Sequence, residues 1–159
     1  MNIELLINLR DNPLEYGSEE NFRNEGIPIS EIVQLEQTWN NGNLFPIALR
    51  ELLYLGGKFC YVLDTGWYDT QQEMQDAARE WLTENSRTIS RPFYVIDIYN
   101  AGEQFLMIYL DEGDNPNVYN VYLPNWRDDQ ISWLSSTGMT LKDFINFRIN
   151  KVIKGFNPF

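Results

Sequence analysis

The chain has 159 residues, a net charge of −11 and no histidine. A chain of this length forms one domain and buries roughly 70% of its unfolded surface. The missing histidines exclude the Ser/His triad, histidine zinc sites and the commonest general base, and the negative field disfavours direct binding of nucleic-acid phosphates.

No apolar run approaches the roughly 20 residues that span a bilayer. The amino terminus, broken by Glu4, Asn8, Arg10 and Asp11, does not read as a signal peptide. Cys60, the sole cysteine, sits in the apolar run FCYVL and reads as a core residue of a protein kept in a reducing cytoplasm.

In chain order, residues 3–9 suggest a short strand or helix, and residues 1–28 as a whole read as an irregular arm punctuated by Pro13, Gly17, Gly26 and Pro28. Ser30, with Ile32, Leu35, Glu36 and Trp39 behind it, predicts a helix capped by Ser30 and ending near Asn41 and Gly42. Pro46 in a first turn, then Leu49, Leu52 and Leu53 before Gly56 and Gly57, predicts a second helix. Residues 59–63 read as a strand closed by a turn at Asp64, Thr65 and Gly66. Thr70 and Glu73 have the spacing of a capping box for a helix over 71–84. The period then becomes that of strands at 93–99, 104–110 and 118–123, an antiparallel meander. A weaker strand over 131–134 precedes Ser135-Ser136-Thr137-Gly138. Thr140 and Asp143 then open a closing helix. The class is α+β, one antiparallel sheet packed with N-terminal helices and a C-terminal helix and covered largely on one side, in a single domain over 1–159.

The candidate chemistry is sparse. Gly56-Gly57-Lys58 lacks the remainder of a P-loop. The run holding Asp111, Glu112, Gly113, Asp114, Asn115 and Pro116 lacks EF-hand spacing and reads as a solvated turn. Glu36 and Glu51 lie at apolar helix positions, where an isolated charge is costly, so they are expected to bond backbone groups or pair with Arg50 or Lys58. No catalytic residue, metal ligand or cofactor site is expected. Loop aromatics, arginine and exposed acids are the side chains that suit a protein partner, so Trp67, Tyr68, Asp111, Glu112, Asp114 and Trp126 beside Arg127 are the candidate contact residues.

The unit from Ser30 to Lys58 carries a further signal: Ile32, Leu35-Glu36, Phe45-Pro46 through Glu51-Leu52-Leu53, and Gly56-Gly57. It resembles the opening motif of the SMI1/KNR4 family of the SUKH superfamily, in which an "I..LE" helix leads through an "LP..Y..FL" helix into a "GG" turn. The resemblance covers residues 30–153, with Phe45 where the family often has leucine, and makes Glu36, Pro46, Glu51, Gly56 and Gly57 its motif positions. It implies an α+β domain and, for bacterial members, a cytoplasmic immunity protein that neutralises a polymorphic or contact-dependent toxin, often a nuclease. A basic toxin domain is then the expected partner, with neither nucleic acid nor membrane. The alternative is a regulatory or scaffold domain with an endogenous protein partner.

Overall fold

A computed structural model describes residues 1–14, 22–65, 68–99, 102–123 and 132–159. Its elements are α1 (Ile7–Asp11), α2 (Ile29–Trp39), α3 (Ile47–Gly56), α4 (Gln71–Glu84), β1 (Phe93–Tyr99), β2 (Gln104–Tyr109), β3 (Asn117–Tyr122), β4 (Leu134–Thr140) and α5 (Leu141–Ile153). The strands form one antiparallel meander in the order β1-β2-β3-β4, so the fold is α+β with helices before and after the sheet. No helix among the described residues is long and apolar enough to cross a membrane.

The sheet is covered on both faces, not on one. Tyr94, Ile96, Leu106, Ile108 and Val118 pack with α2, α3 and α5, whereas Val95, Phe105, Met107 and Val121 pack with Met74, Ala78 and Leu82 of α4. The strands β1 and β2 are therefore apolar on both sides, and the sheet lies between two layers. A bulge between Val95 and Asp97 changes the alternation. Asp97 pairs with Leu106, and both belong to the face that α5 covers, so the extra residue turns this carboxylate toward α5.

Local chemistry explains several helix ends. In α4 the Thr70 hydroxyl accepts from Glu73 N (3.2 Å), and in α5 the Thr140 hydroxyl accepts from Asp143 N (3.3 Å), so each satisfies an otherwise unpaired amide of a first turn. At the end of α2, Asn41 and Gly42 take left-handed φ of 54° and 78°, and Gly42 N reaches back to Glu36 O at 3.0 Å.

Several expectations are corrected. Ser30 does not cap α2: the helix begins at Ile29 behind Pro28, with no side-chain cap. Pro46 stands at the N-cap of α3, just before the first turn. Residues 59–63 are not a strand but a buried turn, with Leu63 N on Cys60 O (2.9 Å) and a single bridge from Phe59 to Glu25. Burial alone accounts for their apolar character. The last strand runs over Leu134–Thr140, so it takes in the Ser-Ser-Thr-Gly segment expected to follow it. It is an outer, half-exposed strand, where hydroxyl side chains are tolerated, and Thr137 Oγ1 donates to Val118 O on its neighbour (2.9 Å). Residue 131 lies outside the described residues.

The amino-terminal segment is integral to the fold. Leu6, Leu9 and Ile27 are in the core. At Gly26 the chain passes so close to α3 that an added Cβ would stand 1.7 Å from Tyr54 O. Gly56 and Gly57 are small for the same kind of reason: a Cβ on Gly56 would meet Cys60 Cβ at 2.9 Å, and one on Gly57 would meet Leu53 O at 2.5 Å.

Candidate functional site

The charged groups fall into three sets: buried and bonded, exposed and paired, and exposed without an ion-pair partner.

Among the described residues three carboxylates are buried. Glu51, 1% exposed, accepts from the backbone amides of Glu4 (2.6 Å), Leu5 (2.9 Å) and Leu6 (2.7 Å), and so holds the chain entering α1. Three N–H donors on one carboxylate supply the hydrogen bonding that makes its burial tolerable. Glu36 accepts from Phe45 N (2.8 Å) and lies 3.1 Å from Arg50 Nε, which ties the end of α2 to the start of α3. Lys58 pairs instead with Glu25 (2.5 Å).

The third buried carboxylate, Asp97, was not singled out by the sequence reading. It takes bonds from Arg148 Nη1 on α5, Asp64 N (2.6 Å) and the Tyr99 hydroxyl (2.5 Å), while Arg148 also donates to Val62 O (2.7 Å). Burial pushes the Asp97 carboxyl up to about 7, against the opposing pull of Arg148 and the Asp64 amide. Burial also lowers the Arg148 guanidinium from its ordinary value. The signal in the sequence was one aspartate inside FYVIDIY, in a strand otherwise built for a core. Cys60 lies beside this pair, and burial pushes its thiol up to about 12, which leaves it protonated and a poor nucleophile at neutral pH.

Of the candidate contact residues, Trp67 and Trp126 lie outside the described residues, as does Arg127. Tyr68 is half-buried, its ring tilted against Trp81 of α4 with centroids 6.2 Å apart. Asp111 and Glu112 are brought together by one arginine. Arg91 reaches Asp111 through Nη2 (2.5 Å) and Nε (3.2 Å) and Glu112 at 3.2 Å, and its guanidinium stacks 3.8 Å from the Tyr109 ring centroid. The hydrogen bond from Arg91 holds the Asp111 carboxyl below its ordinary range. Glu112 also accepts from the Tyr119 hydroxyl at 2.9 Å. Much of the turn's charge is thus matched locally.

The same turn supports the helices with its backbone. Asp114 O accepts from Ala48 N (2.9 Å) in the first turn of α3, and Pro116 O accepts from Leu141 N (2.8 Å) at the start of α5. Asn115 Oδ1 accepts from Lys142 N at 3.0 Å. The Asp114 side chain itself is exposed.

A row of exposed carboxylates without an ion-pair partner lies along α4. Asp69 just before the helix, then Glu73, Asp76, Glu80 and Glu84, are all exposed. Their spacing of three or four residues places them on one side of the helix. Among the described residues no ion pair reaches any of them. The arginine of α4 faces inward: Arg79 donates to Gln75 O (3.0 Å) and Phe93 O (3.0 Å) and stacks on Trp39 (3.8 Å) and Phe93 (4.3 Å). Burial lowers its pKa to about 10. This acidic row was available in the sequence once the helix over 71–84 was predicted, because the spacing follows from the helical period.

Compared with protein-family models, curated proteins and solved structures, the chain matches none.

Proposed function

We propose that this protein is a non-catalytic binder that neutralises a basic protein toxin, with the outer side of α4 as its contact face. One observation carries the reading: five exposed carboxylates, Asp69, Glu73, Asp76, Glu80 and Glu84, follow one another along that face while the arginine of the helix is turned into the fold. A row of like charge repels itself and is unfavourable in isolation; a cationic partner reverses the sign of that term and is drawn in by long-range attraction.

A nuclease domain suits such a surface, because it must be basic where it holds phosphate. The motif from Ser30 to Gly57, which resembles the SUKH immunity proteins, supports the same reading. In it Glu36, Pro46, Glu51, Gly56 and Gly57 are scaffold positions. A cytoplasmic site of action belongs to the proposal, since an immunity protein protects the cell that makes the toxin.

The test is to pair the chain with a toxin-like domain encoded beside its gene. Equimolar protein is expected to abolish the toxin's activity, with an association rate that falls as salt rises. The triple variant E73K/D76K/E80K is expected to lose that protection while D111N keeps it. Toxin activity that persists with the wild-type protein bound would refute the proposal.

A further inference from the structure

Between α2 and the start of α4 lies an open groove of about 480 Å³, lined by Ser30, Glu31, Gln34 and Thr38 along α2 and by Thr70 and Gln72 of the α4 start, with Leu35 among its walls. Ser30, Gln34 and Thr38 recur every fourth residue, so they form one line about 12 Å long on the helix. That length matches roughly four residues of extended chain at ~3.3 Å each. Hydroxyl and amide side chains line it, which are the groups that pair with a peptide backbone. Gln72 donates to Asp76 Oδ2 at 3.0 Å, which sets the groove beside the acidic row.

Two opposing fields act there. The starts of α2 and α4 each present about half a positive charge, together about one. Four carboxylates, Glu31, Asp69, Glu73 and Asp76, lie in or beside those same two helix starts. Against the dipoles and the Arg79 guanidinium beside Trp39, about two positive charges together, the four carboxylates still leave a negative excess, so the groove favours a cation. The stacking of Arg79 on Trp39 joins the last residue of α2 to α4 and fixes the spacing of the two helices.

We propose that this groove receives an extended, arginine- or lysine-bearing segment of the protein partner, with its backbone along Ser30, Gln34 and Thr38 and a basic side chain at Glu31 or Asp76. The inference rests on the reading of α4 as a partner-facing surface and adds to it a seat of defined shape.

The test uses the whole chain with a capped tetrapeptide of alternating arginine and glycine, and the same peptide with glutamate for arginine. Amide shifts are expected to move at Ser30, Gln34, Thr38, Thr70 and Gln72 with the basic peptide alone. Q34W and T38W, which fill the groove from exposed positions, are each expected to weaken binding tenfold or more, and E80Q and E84Q less than twofold. Shifts confined to the acidic row, equal binding of the glutamate peptide, absence of saturable binding, or indifference to both tryptophans would each overturn the groove. Toxin protection separates the two ideas: loss with E73K/D76K/E80K but not with Q34W or T38W removes the groove and leaves the binding face, whereas peptide binding without any protection removes the toxin reading and leaves the groove.

Discussion

The two sides of the sheet treat charge in opposite ways. On the α5 side an aspartate and an arginine are taken into the core and bonded to each other, to a backbone amide and to a carbonyl. On the α4 side the buried polar partners of the sheet are mainly neutral. Gln75 accepts from Val95 N (2.9 Å) and donates to Val95 O (2.8 Å), as a neighbouring strand would, and so covers part of the free edge of β1. Carboxylates on that side stay outside, along α4. The difference separates a side where charge is bonded within the fold from a side where charge stays exposed.

The largest break in this comparison comes from removing one member of the buried pair. R148M leaves Asp97 in the core without its cation and is expected to cost about 3–5 kcal/mol in urea unfolding at pH 8, with D97N/R148M recovering a large part of that loss. Equal stability of the single and double variants would contradict the pairing. Next is E51A, which strands three amides at the entry to α1; about 2–4 kcal/mol is expected, with fast hydrogen exchange at Leu6. On the α4 side, T70A removes a helix cap and should cost about 1 kcal/mol. Smallest is Glu80 within the row: E80Q should change stability by about 0.5 kcal/mol or less, because this side chain is exposed and no ion pair among the described residues holds it.

The pH dependence sharpens the same contrast. Asp97 is an acid whose folded pKa, about 7, stands above its ordinary value of 3.8, so the folded protein keeps a proton that the unfolded chain has released. Stability from this group is therefore complete below that ordinary value and is lost as the pH rises through about 7. D97N should flatten the fall in melting temperature across this window, and a slope unchanged by D97N would assign it to other groups.

The features legible in the sequence are those whose causes are local. The capping residues Thr70 and Thr140 lie within three residues of the amides they serve, and the meander follows from period-two runs joined by short turns. Misread segments depend on distant chain. Residues 59–63 are apolar because they are buried, which a strand and a turn share, and their geometry is set by partners such as Asn24, whose Oδ1 accepts from Tyr61 N at 3.0 Å. The apparent arm is held by Glu51, more than 40 residues away. The bulge that aims Asp97 at α5 leaves an ordinary-looking strand sequence. Of the candidate site, the acidity was readable, whereas the matching of Asp111 and Glu112 by Arg91 required the fold to bring residues 20 and 21 positions apart together.

The β2–β3 turn, whose backbone serves the first turns of α3 and α5, has a practical corollary. A hairpin tip is ordinarily a tolerant place to insert sequence. In this protein tolerance ends within one residue: Gly113 faces open space, with nothing within 4 Å of an added Cβ, although its φ of 79° favours glycine itself, while the next three residues hold two helices by their starts. A fluorophore or affinity handle belongs before Asp114, and one placed after it would loosen the starts of α3 and α5.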